Sequence, residues 1–257
     1  MFCILKSENR KKSLFKKNEP FSVKRTVIPD KAVFDEITLY YYRGKADWQA
    51  LRRRIGGLYG ATLFSDGFIP EKGSRIFEYK SERLRSFMKM NTAVEILEKS
   101  KKSPQSLSVA VIDRAGEYQS CVEKVIRCAA GITVMTENTE GYSLFAEKML
   151  MKYGAAIRLF PPSDAKFSAD LTVNLSSPSQ ADFLFSRPTG SIKMNGGSFT
   201  VPDLYRQYLP DGVDGYAFLS ALFSLCFVTE LCGMKFRSLI LGGREISLET
   251  LDTEGIF

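Results

Sequence analysis

The sequence predicts an α/β protein with a mostly parallel sheet and helices on both faces, preceded by a smaller α/β lobe and a basic N-terminal arm. Three observations carry this. Short apolar runs recur at 107–112, 132–135 and 155–160, a pitch of about 25 residues. Between them lie two stretches with apolar residues at i, i+3, i+4, i+7, i+8 and i+11, the stripe of an amphipathic helix. A single glycine, Gly131 or Gly154, follows each stretch and stops it. Strand and helix alternating at this pitch imply parallel strands joined by crossover helices, a Rossmann-like arrangement.

Each element has its own signal. Residues 1–30 hold eight Lys and Arg (Lys6, Arg10, Lys11, Lys12, Lys16, Lys17, Lys24 and Arg25) against Glu8, Glu19 and Asp30. Even periodicity is absent there, so a flexible basic arm is expected. Glu36–Tyr42 is aromatic and β-branched and reads as a strand. Asp47–Tyr59 has Trp48, Leu51, Ile55, Leu58 and Tyr59 on one helical face, with Asp47 as its cap. Ala61–Phe64 reads as a strand, Arg75–Tyr79 as a short apolar run, and Ser81–Lys99 as a long helix with Leu84, Phe87, Met88, Val94 and Leu97 inward.

Lys99–Ser106 is polar and carries Pro104, which places a domain boundary there. The expected division is therefore an arm at 1–30, an α/β lobe at 31–104 and a Rossmann-like domain at 105–257. In that last domain the helical stripes are Tyr118–Ala129 and Tyr142–Tyr153, and Ala169–Leu175 is a further strand. Asn195-Gly196-Gly197 signals a hairpin turn. Asp214–Cys232 reads as a buried helix; its uncharged stretch is shorter than the ~20 residues of a membrane span.

Composition excludes whole classes of chemistry. The chain has 257 residues and no histidine. That removes Ser-His and Cys-His dyads and His-containing zinc sites. The five cysteines form no C-x-x-C pair. Cys121, Cys226 and Cys232 are expected to be buried and unbridged, as in a cytoplasmic protein. The net charge of +7 resides mostly in residues 1–30, which carry +5. Such an arm offers weak contact with polyanions, including nucleic acid. No targeting or transmembrane segment is evident.

The turn at Val109–Cys121 is where a dinucleotide fold places G-x-G-x-x-G, whose backbone N–H groups meet a pyrophosphate. Only Gly116 is present, flanked by Asp113, Arg114 and Glu117. Glu137 ends the next strand, where an acidic side chain can hold a ribose hydroxyl. The runs VAVID, GITVMTENTEGYSLFAEKM and ADLTVNLSSP resemble the cofactor half of shikimate-dehydrogenase-like proteins. The last resembles the A-D-x-x-x-N strand of that family and so implies Asn174 at the cofactor crevice. The glycine fingerprint is missing, and the Asn-Arg-Thr of NADP-using relatives stands here as Thr136-Glu137-Asn138-Thr139. The family's catalytic Asn-Val-Thr-x-Pro-x-Lys has no match in 31–104.

The cofactor-binding candidates are therefore Asp113, Arg114, Gly116, Glu137 and Asn174. No catalytic or metal-ligating residue is assigned. If a nucleotide binds, NAD is expected over NADP, because Glu137 repels a 2′-phosphate. The preferred reading is a Rossmann-like protein with an eroded cofactor site, non-catalytic or a weak ligand binder, acting through a protein partner. Two alternatives stand: an NAD-dependent oxidoreductase with an atypical turn, and a nucleic-acid-associated protein recruited by its arm. Asp113-Arg114-Ala115-Gly116 also faintly echoes the first loop of S-adenosylmethionine-binding folds.

Overall fold

The computed structural model describes the chain except residues 12–17, 58, 163–167, 177–179, 188–189, 254–255 and 257. Strands β1 (Phe2–Arg10), β2 (Phe21–Ile28) and β3 (Ala32–Tyr42) lead into helix α1 (Trp48–Gly56) and strand β4 (Thr62–Phe64). Helix α2 (Arg83–Glu98) follows, then β5 (Ser108–Ile112), α3 (Gln119–Val125), β6 (Gly131–Met135), α4 (Thr139–Tyr153), β7 (Ile157–Phe160) and β8 (Leu171–Asn174). The chain continues through β9 (Phe183–Arg187), β10 (Gly190–Gly196), α5 (Asp203–Arg206), α6 (Gly215–Leu225), β11 (Ser238–Leu241) and β12 (Arg244–Ser247). It divides into two compact units, Met1–Leu84 with Val201–Leu231, and Arg85–Thr200 with Cys232–Phe257.

The first unit holds a four-stranded sheet in the order β2-β3-β1-β4. Strand β1 runs parallel to both neighbours, and β2 pairs antiparallel with β3. Successive side chains of a strand point to opposite faces, and this sheet is covered on both. One face packs Cys3, Leu5, Ile37 and Leu39 against Leu51 of α1, Phe68 and Ile76. On the other, Phe2 stacks on Phe34 at 5.3 Å, and Phe218 of α6 meets both rings edge-on. Asp47 caps α1 by accepting from the Ala50 N–H at 2.8 Å, and Asp214 caps α6 through Ala217 at 2.7 Å.

The second unit holds an eight-stranded sheet, β12-β11-β10-β9-β8-β5-β6-β7. The four strands β7-β6-β5-β8 are mutually parallel. Numbered by their appearance in this unit they read 3-2-1-4, the order of a dinucleotide-binding half sheet. Strands β9 to β12 extend the sheet as an antiparallel run. Asn138 caps α4 through the Gly141 N–H at 3.1 Å, and Gly154, at φ 67°, ends it in the left-handed conformation.

Several expectations need correction. Residues 1–30 are not a loose arm: β1 lies inside the sheet, with Phe2, Cys3, Ile4 and Leu5 wholly buried. Four of the eight basic residues that suggested disorder have partners. Lys6 and Lys24 meet Glu36, Arg25 meets Asp35, and the Arg10 guanidinium lies 3.5 Å from the Tyr40 ring centre. Phe15, with Lys12, Lys16 and Lys17, lies outside the described residues.

The domain boundary is not at Lys99–Ser106 but in the first turn of α2. The apolar helix α6 belongs with the first unit and not with the Rossmann-like part. Asn195 and Gly196 form no turn; they end β10 and pair with Ile240 and Leu239 of β11. The backbone approaches Phe236 so closely at Gly196 that any Cβ would clash with that ring. All five cysteines are free, but Cys226 and Cys232 are half-buried, unlike Cys121. Among the described residues no helix is long and apolar enough to cross a membrane.

Candidate functional site

Strand β5 ends at Ile112, and Asp113 is the first residue beyond it. Its side chain is fully buried. The chain then folds back around this carboxylate. Oδ1 accepts the N–H groups of Gly116 at 3.1 Å and Glu117 at 3.2 Å. Oδ2 accepts the Tyr118 N–H at 2.8 Å and the Tyr142 hydroxyl of α4 at 2.7 Å. A carboxylate has about four lone-pair positions, so Asp113 carries its full complement. Burial and the neighbouring Asp113 charge push the Tyr142 phenol well above its ordinary range, so it stays neutral and donates.

The turn depends on Gly116. Its φ of 75° is left-handed, and a Cβ there would lie 2.8 Å from Cβ and Nδ2 of Asn138. The α4 cap therefore closes over the β5–α3 turn. Only glycine combines that φ with that approach.

In a dinucleotide site these loop amides would face a pyrophosphate. Here an internal carboxylate takes them. A phosphate about 5 Å from Asp113 would meet repulsion of roughly 3 kcal/mol at an effective dielectric near 20. The amides that such a turn would offer an anion are thus taken by the protein's own side chain.

The other expected residues surround the same strand ends. The Arg114 N–H donates to Ser176 Oγ at 2.8 Å, and its carbonyl accepts from the Glu137 N–H at 2.9 Å. These bonds tie the β5 end to the segments after β8 and β6. The Arg114 guanidinium and Glu137 carboxylate lie 3.9 Å apart, with side chains 52% and 69% exposed. Asn174 is buried, and its Oδ1 accepts from the Ser176 N–H at 3.1 Å. Asp113, Arg114, Gly116 and Glu137 therefore share one end of β5 and β6, while Asn174 turns into its own loop.

A second charged cluster escaped the sequence reading. Lys89 of α2 is 2% exposed. Its Nζ donates to the Asp182 carboxylate and to the Asn174 carbonyl, each at 2.8 Å. Arg85, one turn earlier, reaches the other Asp182 oxygen at 2.7 Å, and the Gly196 N–H reaches it at 2.8 Å. Burial works against the Asp182 charge, yet Lys89, the Gly196 amide and Arg85 hold its carboxyl below the usual range. The available signal was a pair of cations spaced i, i+4 beside an apolar stripe, which ordinarily marks a solvated edge.

Chemically, both clusters are closed. Asp113 has no lone pair left for a substrate proton, and Lys89 is shared between a carboxylate and a carbonyl. Among the described residues no group of three Cys, Asp or Glu is placed to hold a metal ion. No protein-family model matches the chain, and no curated protein matches it by sequence.

Proposed function

We propose that this chain is a Rossmann-like protein whose cofactor turn is filled by an internal carboxylate, and that it works non-catalytically, through a protein partner. The observation carrying this reading is the set of four hydrogen bonds that saturate Asp113. An apolar surface supports the partner role: α4 leaves Leu144 and Met151 67% and 89% exposed, two turns apart. The unbridged cysteines fit a reducing, cytoplasmic compartment. Polyanion contact through residues 1–30 loses weight, because four of their basic side chains already meet Glu8, Asp35 or Glu36.

Thermal melting with NAD, NADP, S-adenosylmethionine and ATP tests this. A ligand at a hundred times its Kd would add about 2.7 kcal/mol, so binding would be plain. No saturable shift that depends on Glu137 is expected from any of the four. A saturable NAD shift that disappears in Glu137→Ala would restore the oxidoreductase reading and overturn this one.

A further inference from the structure

The first unit carries a cavity of its own beside β4. It measures about 340 Å³, within the range of roughly 300–1,000 Å³ typical of small-molecule sites. Ile55 and Ile76 give it an apolar lining, joined by the side chains of Tyr59 and Tyr79. Arg52 of α1 and Arg75, eleven residues beyond β4, supply its charge, and no carboxylate lines it. Among the described residues neither arginine has an ion-pair partner.

The wall bearing Arg75 is pinned. Ile76 is buried in the core cluster, and the Tyr79 N–H donates to the Thr62 carbonyl at 2.7 Å. A bond from the Thr62 hydroxyl to the Phe77 carbonyl adds to this. Arg75 itself sits at φ 57°, a conformation disfavoured outside glycine. Phe77 also lines the cavity, yet the residue is 79% exposed. Tyr59 is fixed by donating its hydroxyl to Asp35 at 2.6 Å. The cavity thus combines two unpaired guanidinium groups, an available aromatic ring and an apolar lining. A planar guanidinium matches the oxygens of a carboxylate or phosphate, and Phe77 and Ile55 match a flat apolar body.

We propose that this cavity binds a small aromatic anion, its carboxylate or phosphate held by Arg52 and Arg75 and its ring packed against Phe77 and Ile55. The site stands independently of the reading given for the second unit.

Calorimetric titration of the full chain with benzoate and with phenyl phosphate tests it, with phenethylammonium as the cationic counterpart. Saturable binding of at least one anion is expected, and the tighter of the two identifies the head group. Arg52→Ala and Arg75→Ala should each weaken that binding about tenfold, a loss of one charge-assisted contact. Arg53→Ala, on the same helix but outside the cavity, should leave it unchanged. These side chains are exposed, so the variants should melt with the parent chain. The proposal fails if neither anion saturates, if phenethylammonium binds as tightly, or if Arg53→Ala costs as much as Arg75→Ala.

Discussion

Two buried carboxylates, Asp35 in the first unit and Asp113 in the second, are held differently. In the four-stranded sheet, Asp35 on β3 is met by Arg25 from the adjacent edge strand, at 2.9 and 3.0 Å, and by the Tyr59 hydroxyl. The Arg25 guanidinium holds the Asp35 carboxyl below the usual range despite burial. In the eight-stranded sheet, Asp113 is met by backbone amides and a neutral phenol. A cation on an edge strand only holds a carboxylate in place. Amides gathered at a strand end are a general anion site, so the carboxylate there also decides what else can bind. On the reading proposed above, the same kind of side chain is structural at Asp35 and excludes an anion at Asp113.

The largest effect should come from removing residues 1–10. Four wholly buried residues of β1, Phe2 to Leu5, would go. At about 1.5–3 kcal/mol for each of the large apolar side chains Phe2, Ile4 and Leu5, the loss is roughly 5–9 kcal/mol, comparable with the whole stability of a typical domain, about 5–15 kcal/mol. The truncated chain should lose cooperative unfolding of the first unit, seen as loss of amide protection in β3 and β4. Unchanged protection there would mean that β1 is dispensable and the N-terminus an arm after all.

Asp113→Ala is expected next, at about 3–5 kcal/mol in urea unfolding, because three amides and a hydroxyl lose their acceptor in a buried setting. The variant also sharpens the contrast between the sheets. Freed amides should take an inorganic anion, so added phosphate should recover part of the loss in Asp113→Ala and do little for the parent chain. No such recovery would show that the turn is not an anion site in disguise.

Lys89→Met should cost about 3 kcal/mol, since it leaves the buried Asp182 carboxylate with one cation instead of two. The pH dependence follows from the sign of the shift. The folded Asp182 and Asp35 carboxyls lie below their ordinary values. Their stabilisation is therefore complete above the unfolded pKa near ~4 and fades as pH falls through the folded values. Unfolding free energy should decline on acidification below about pH 4, and more steeply for the parent than for Lys89→Met. Equal slopes would remove Asp182 from the account.

The strands and helices of the parallel half were legible because period and pitch are local: each stripe and each glycine stop speaks for its own element. The position of Asp113 at the strand end was legible too, but its role was not. A carboxylate flanking a lone glycine reads as an obstacle to phosphate; only the fold shows three following amides and Tyr142, 29 residues on, converging on it. The place of β1 was hidden for a related reason. Its charged half, Lys6 to Arg10, is matched by Glu36 and Tyr40 on β3, and such pairing across strands leaves no trace in composition. Lys89 was missed because a helix reads as amphipathic from its apolar side, and nothing local says that α2 is enclosed along most of its length.

The smallest expected effect concerns Glu137, the residue on which the ribose reading rested. Its carboxylate is 3.9 Å from the Arg114 guanidinium, and both side chains are largely exposed. An exposed pair at that separation contributes at most a few tenths of a kcal/mol, and salt screens it further. The link that positions this loop is instead backbone, from the Glu137 N–H to the Arg114 carbonyl, which a side-chain change leaves intact. Glu137→Gln should therefore unfold within about 0.5 kcal/mol of the parent chain, with no dependence on added salt. A loss above 1 kcal/mol would mean that the carboxylate is tied into the turn as Asp113 is. The two strand ends would then be tied by side chains as well as by the backbone bond, and Glu137 would be structural in the way Asp113 is.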